Sequence, residues 1–432
     1  MSNITTVILA AGKSSRFKGS ISKLLFPLCG LPIISHIYEV ARKISGKNII
    51  VVCNEDNINE LKPILKNCKF VIQKNQLGTA HALEQTKNKI NTENILVLFG
   101  DTPLIETSNL KKLIKKFNSS KSIASIIAFK TANPHGYGRI INDNKNVKEI
   151  IEEINLSNEQ KKINLCNSGI LVANKRLLFE NIKKIKINKV KNERYLPEIF
   201  KILFKKKLTT NFIECNEESM WGVNTLNDFS IVQSILQKKY IEKFIDNGVN
   251  FLNPDSCYIN YDAKIEPNVV IESNVTIKSN TSIKKNTIIR SNSYLEGVKI
   301  HEGCSIGPSA RIRPLSTIGK NTKVGNFVEI KNSKIGNKVS IAHLSYVGDS
   351  EVGNNVNIGA GAITCNYDGK KKHKTIIKNN VFIGSNSSLI APILIEAKST
   401  IAAGSVITKN VPRKSLAIER SNLKILRNKT LK

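Results

Sequence analysis

From Ile265 onward, apolar residues return every six positions: Ile265, Ile271, Ile277, Ile283, Ile289 and Leu295, then Ile306, Ile312, Ile318, Val324 and Ile330. After single-residue slips the series continues at Ile335, Ile341 and Val347, then at Val352 and Ile358. It returns at Ile383, Leu389, Ile395, Ile401 and Ile407. A period of six fits neither a 3.6-residue helix nor a lone alternating strand. It is the hexapeptide repeat of a parallel β-helix, expected here to be left-handed; each hexad gives a short strand and a corner, with the apolar residue pointing inward. Asn, Ser, Thr and Gly fill most other places. Residues 364–382 interrupt the series with the polar run Thr364 to Lys372, read as a loop thrown out of the solenoid. Such insertions line one binding face. From Val411 the chain is read as leaving the repeat and turning basic.

The first half has a different period. Ile4 to Ala10 is a near-continuous apolar run, as expected of a strand buried on both faces. Asn48 to Val52 and Asn94 to Phe99 repeat it, and the stretches Pro32 to Ile44 and Thr79 to Lys89 read as helices. Alternating strands and helices predict an α/β, Rossmann-like domain with a mostly parallel sheet. Ligands in such sheets bind beyond the carboxyl ends of the strands, where Gly12 and Asp101 fall. Leu226 to Asn247 reads as a helix closed by Asn247-Gly248. It is either a core helix of the first domain or, as preferred here, an arm between domains. The expected domains are therefore 1–225, a helical linker over 226–247, and 248–432.

The 432 residues carry a net charge of +32. The excess is diffuse: 36 basic against 19 acidic side chains in residues 1–226, and 30 against 15 in 227–432. Nucleic-acid binders gather their charge in a patch and interleave aromatics, yet aromatics are only 6% here. No nucleic-acid partner is expected. No apolar run is long enough to span a bilayer, so no membrane insertion is expected. The start, Ile4 to Ala11, lacks the basic leader of a secretory signal. The eight cysteines are scattered with no C-x-x-C pair, which points to a reducing, cytoplasmic setting.

Leu9-Ala10-Ala11-Gly12-Lys13-Ser14-Ser15-Arg16 follows the first strand, and Lys23 comes soon after. A small, Gly-containing turn lets backbone N–H groups approach phosphates; alone, it is equally a structural turn. Further strings accumulate in order: Gln73 to Ala82 (QKNQLGTAHA), Phe99-Gly100-Asp101-Thr102-Pro103-Leu104, Gly136 to Ile140 (GYGRI), Glu152, Asn167-Ser168-Gly169 and Gly222-Val223-Asn224. In the repeat half stand Ile341 to Asp349 (IAHLSYVGD) and Thr364 to Gly369 (TCNYDG). Together these resemble, over essentially the whole chain, the bifunctional UDP-N-acetylglucosamine pyrophosphorylase/glucosamine-1-phosphate N-acetyltransferase family.

The resemblance implies two reactions: acetyl transfer from acetyl-CoA to glucosamine 1-phosphate, then uridylyl transfer from UTP to N-acetylglucosamine 1-phosphate. It places Leu9, Ala10, Ala11, Gly12, Lys23, Gln73, Gly78, Thr79, Phe99, Gly100, Asp101, Gly138, Glu152, Asn167 and Asn224 around UTP and UDP-N-acetylglucosamine. Arg16 and Lys23 would be catalytic, offsetting phosphate charge. Asp101 and Asn224 would hold Mg²⁺, a hard ion that takes oxygen ligands. His343 would be the base of the acyl transfer. Arg313, Lys331, Tyr346, Asn357 and Lys372 would bind glucosamine 1-phosphate, with Lys370 and Lys371 left as alternatives to Lys372 and with Glu329 orienting Lys331. Ala360, Asn366, Tyr367, Ser385, Ala403 and Arg420 would bind acetyl-CoA. The family also implies a homotrimer with sites between neighbouring β-helices. Ser14, Phe99 and Ile154 depart from its pattern. The alternative is a single-activity nucleotidyltransferase with a structural β-helix, which would have no use for both the His343 and the Asn366-Tyr367 strings.

Overall fold

The computed structural model describes residues 3–12, 17, 22–143, 146–188, 192–421 and 423–425. The chain divides into two compact units, Met1–Ile235 and Leu236–Lys432.

In the first unit, the strand Ile4–Leu9 is buried along its whole length, because helices cover both faces of its sheet. It pairs in parallel with Ile49–Cys53 on one side and Asn94–Phe99 on the other. Lys69–Ile72 extends the sheet beyond Ile49–Cys53. Leu165–Asn174 runs antiparallel between Asn94–Phe99 and Ala124–Lys130, and the hairpin Arg139–Asp143/Asn146–Ile151 joins its end. The carboxyl ends of Ile4–Leu9, Ile49–Cys53 and Asn94–Phe99 thus open on one edge. The expected helix from Thr79 stops at Glu84. There the Thr86 hydroxyl donates to Leu83 O at 2.6 Å, offering that carbonyl an alternative to helix continuation.

The second unit is a three-faced parallel β-helix. The first face runs from Asn250–Phe251 to Leu416–Ala417, the second from Tyr258–Ile259 to Val406–Ile407, and the third from Lys264–Ile265 to Ile393–Ile395. Every apolar residue of the six-residue series is buried. Each buried isoleucine contributes about 1.5–3 kcal/mol. A second, smaller residue two positions earlier also points inward, as strand alternation requires: Val269 before Ile271, Thr287 before Ile289, Ser345 before Val347. Small size at these corners, which composition alone read as filler, is a packing requirement. Asparagine has a definite place too. Asn268, Asn274, Asn280, Asn286 and Asn292 turn successive corners with φ of 59–62°. Asn is the non-glycine residue that tolerates this left-handed region best.

Two boundaries differ from expectation. The solenoid resumes at Thr375–Ile377, so the ejected loop is 366–374 and not 364–382. Thr364 takes the inward slot there, because its hydroxyl can accept from Gly348 N at 2.8 Å. Nor does the repeat end at Val411. That side chain is buried, Glu396 N donates to Val411 O, and Leu416–Ala417 still pairs with Thr400–Ile401.

The helix Leu226–Asp246 spans the division between units. In the first unit Val232 is buried and Phe229 packs edge-on against Phe26 at 4.9 Å. In the second, Ile241 joins the solenoid core and Gln237 Nε2 donates to Ile259 O at 2.8 Å.

Two candidate functional sites

In the first unit, Asp101 lies just past the strand Asn94–Phe99 and Asn224 comes from the distant Gly222–Asn224 segment. The Lys23 ammonium joins them, donating to Asp101 Oδ2 at 2.8 Å and to Asn224 Oδ1 at 3.3 Å. Two oxygens that share one ammonium lie within reach of a single cation. Among the described residues no group of three or more His, Cys, Asp or Glu side chains could hold a metal. A carboxylate and an amide oxygen, completed by substrate phosphates and water, are a donor set that suits Mg²⁺. Backbone bonds fix the pair: Val223 N donates to Asp101 O at 2.8 Å. Asp228 Oδ2 accepts from Asn224 N and Thr225 N at 2.9 and 2.8 Å, while Asp228 N returns a bond to Thr225 Oγ1. This reciprocal cap starts the long helix and sets Asn224 at its mouth.

A cleft of about 970 Å³ opens beside this pair, lined by Leu9, Ala10, Ala11, Gly12, Lys23, Gln73, Gly78, Thr79, Phe99 and Asp101. Gly78 is required where it stands. Its φ is +93°, and a Cβ there would lie 2.5 Å from Arg194 O. The close approach is a strap: Arg194 N donates to Leu77 O, Ala80 N to Arg194 O, and Leu196 N to the Thr79 hydroxyl. The Thr79 oxygen thus serves the strap, while Gln73 Nε2 donates to Gly78 O at 3.1 Å.

The strap brings in Glu193 and Tyr195, which sequence reasoning missed. Burial, with Glu193 and Glu152 nearby, pushes the Tyr195 phenol up to about 12. Asn54 also lines the cleft unanticipated, and its amide donates to Ala11 O at 3.3 Å. Nothing in residues 192–195 (NERY) forms a recognisable motif, so only the fold reveals them.

Gly138, Glu152 and Asn167 meet at the same edge of the sheet. Asn167 N donates to Gly138 O at 2.9 Å, and a Cβ on Gly138 would lie 3.5 Å from Glu152 Oε1. Gly169 makes room for the Phe99 ring, since a Cβ there would lie 2.4 Å from it. Gly100 N donates to Leu9 O at 2.9 Å, closing the two strand ends together. Ile154 is exposed. Arg16 and Ser14 lie outside the described residues.

In the second unit, His343 ends a first-face strand with its ring outside the solenoid. Its Nδ1 lies 2.5 Å from Asn326 Oδ1, on the coil before. An amide oxygen only accepts, so Nδ1 is the donor of this pair, and in the neutral ring the lone pair is then on Nε2. The Ser345 hydroxyl, donating to His343 O at 2.9 Å, pins the backbone. One corner then carries a column. Leu344 N donates to Asn326 O, Gly361 N to His343 O, Asn386 N to Ala360 O, and Gly404 N to Ser385 O. Asn326, His343, Ala360, Ser385 and Ala403 therefore stand on successive coils along one line.

Across the second face lies a cationic group. Arg313 pairs with Glu329 at 2.9 Å and Lys331 with Asp349 at 3.2 Å. Glu329 thus serves Arg313 and not Lys331, because Asp349 holds the lysine. Lys372 reaches this group from the 366–374 loop. The nearby Lys331 ammonium lowers the pKa of Lys372. Tyr346 lies in register with Glu329. Asn366 is buried at the root of the loop, and Tyr367 is exposed with its hydroxyl on Gly369 O. Asn357 sits on the first face in register with Ser340, and Arg420 lies exposed in the tail.

Residues 6–166 match the MobA-like NTP transferase domain family. Residues 262–297 match the bacterial transferase hexapeptide family, 294–367 the GMPPB C-terminal domain, and 374–409 the hexapeptide repeat of succinyl-transferase. The bifunctional protein GlmU of Bartonella bacilliformis is 39% identical, covering 100% of this chain and 97% of its own length. That of Thermodesulfovibrio yellowstonii is 40% identical, covering 96% of each chain. That of Campylobacter fetus subsp. fetus is 39% identical, over 97% of this chain and 95% of its own. With that likeness along its whole length, the chain belongs to the GlmU family, the bifunctional enzymes that unite a UDP-N-acetylglucosamine pyrophosphorylase with a glucosamine-1-phosphate N-acetyltransferase.

Proposed function

We propose that each half-reaction has its own independent site, assembled from the residues above. In acetyl transfer, the phosphate of glucosamine 1-phosphate binds Arg313, Lys331 and Lys372, with Tyr346 and Asn357 holding the sugar. The second face is three residues wide here, roughly 10 Å, so a hexose phosphate anchored at its far edge presents its amine toward His343. Nε2 of His343 accepts the amine proton as nitrogen attacks the thioester carbonyl. The carbon–sulfur bond then breaks, and the leaving thiolate takes up that proton. Acetyl-CoA lies along the Ala360, Ser385 and Ala403 column, where small side chains leave room. Asn366 and Tyr367 border its acyl end and Arg420 meets its phosphates.

In uridylyl transfer, Gln73, Gly78 and Thr79 frame the base and the Leu9 to Gly12 turn receives phosphate oxygens. Gly138, Glu152 and Asn167 hold the sugar, with Tyr195 beside them. Mg²⁺ bound by Asp101 and Asn224 would neutralise the reacting phosphates. Lys23, which already bridges those oxygens, turns to the phosphoryl group, and Arg16 joins it.

The observation that carries this reading is the pairing of His343 with Asn326 at the head of the small-residue column. Its test is crossed. His343→Ala lowers thiol release from acetyl-CoA by about 10²–10⁴-fold and leaves pyrophosphate release intact; Asp101→Ala, or EDTA, does the reverse. Loss of both activities by either change would refute two independent sites.

The assembly proposed is a cytoplasmic homotrimer. Phe327 and Leu344 stand 62% exposed on consecutive coils beside His343, and neighbouring β-helices would cover them. No helix among the described residues is long and apolar enough to cross a membrane. Sedimentation at the mass of a single chain would overturn the trimer.

A further inference from the structure

The hexad count slips by one residue between Ile330 and Ile335, and again between Val347 and Val352. Both slips fall at the corner between the second and third faces. Each shortens that corner by one residue, and the chain turns there through a left-handed residue, Asn332 with φ 45° and Asp349 with φ 48°. The two corners stack, since Asp349 N donates to Lys331 O at 2.9 Å. The second slip thereby places a carboxylate over the phosphate-binding cations.

That carboxylate is nearly enclosed, with 12% of the side chain exposed. Its Oδ2 accepts from Lys331 Nζ at 3.2 Å and from the Asn366 amide, and its Oδ1 accepts from the Asn332 amide at 2.6 Å. Burial works to raise its pKa, but the bonds from Asn332, Asn366 and Lys331 outweigh it and hold Asp349 ionised. Lys331 belongs to the glucosamine 1-phosphate side and Asn366 to the acetyl-CoA side.

We propose that Asp349 is a positioning residue that sets both halves of the acyl-transfer site at once, fixing the Lys331 ammonium for the sugar phosphate and the Asn366 amide for the thioester. This rests on the acyl-transfer reading given above. Glu329 serves one cation, Arg313; Asp349 alone among the described carboxylates bonds to residues of both substrate subsites. Without its charge, Lys331 faces Lys372 uncompensated and swings away. An asparagine in its place keeps only one oxygen, so its N–H₂ meets either Lys331 and Asn366 or Asn332, and the shared anchor of these donors is broken.

The test is steady-state thiol release by the full-length enzyme and its Asp349→Asn variant, varying each substrate at saturation of the other. The Michaelis constants for glucosamine 1-phosphate and acetyl-CoA should rise together, each about tenfold, the worth of a charge-assisted hydrogen bond. kcat should stay within about threefold, because the His343–Asn326 pair is untouched. A rise in only one constant, no rise in either, or a fall confined to kcat would overturn the role. Should Asp349→Asn fail to fold, Asn332→Ala removes one donor from the same carboxylate without touching either substrate. It should raise both constants in parallel by about threefold, and a one-sided or absent change would count against the role. Thiol release by the wild-type enzyme separates the two levels. If it is missing, the acyl-transfer reading itself falls; if it is present and the variants' constants are unmoved, only the role of Asp349 does.

Discussion

The two sites are built by opposite means. In the α/β unit, Asp101 and Asn224 lie 78 and 201 residues along the chain from Lys23, their shared contact. They meet because strand ends and a capped helix open on one edge. In the β-helix, Asn326, His343, Ala360, Ser385 and Ala403 meet because one coil lies on the next. A solenoid converts a fixed sequence interval into contact; a wound sheet converts crossover connections into contact. The helical site is held by a ladder of backbone bonds, whereas the cleft depends on a strap around Gly78 and on ion pairs such as Arg194–Glu84.

The sharpest break of this comparison is Asn326→Ala. If position on the coil sufficed for His343, removing its side-chain partner would change little. The Nδ1 bond instead fixes the tautomer, so acetyl transfer should fall by about 10–100-fold, with uridylyl transfer unchanged. A thiol-release rate within twofold of wild type would show that the coil alone orients the imidazole.

The counterpart in the cleft is Gly78→Ala. A Cβ at 2.5 Å from Arg194 O must push the strap aside, and a φ of +93° strains any side chain. The expected result is a rise of about tenfold in the Michaelis constant for UTP with acetyl transfer unaffected. Pyrophosphate release at unchanged UTP dependence would mean the strap is not part of the nucleotide site.

The contrast also explains what the sequence could reveal. Period six located every inward isoleucine of the series, since one physical requirement, burial at each corner of a prism, writes itself at one interval. Thr364 escaped because a hydroxyl can occupy an inward slot when Gly348 N supplies its bond. Asp349 escaped as a partner of Lys331 because a one-residue slip changes which side chains face each other. In the first half, Asp101 and Asn224 were readable through ordered strings that resemble a family. Glu193 and Tyr195 were not, because what places them is the contact of Arg194 with Gly78, more than a hundred residues earlier.

The smallest effect concerns the corners themselves. Asn286 has φ +59° and is exposed. Alanine there bears the left-handed penalty, about 1 kcal/mol, while glycine pays it back in backbone freedom and should leave stability nearly unchanged. The single tryptophan, Trp221, lies in the first unit, so its fluorescence reports that unit and far-UV circular dichroism adds the solenoid. In urea, Asn286→Ala should lower the circular-dichroism midpoint and leave the tryptophan midpoint in place. Equal midpoints for the alanine and glycine variants would mean that asparagine recurs at these corners for composition and not for conformation. A tryptophan midpoint that moved in step would mean the two units unfold as one, and the difference in their construction would then have no counterpart in their stability.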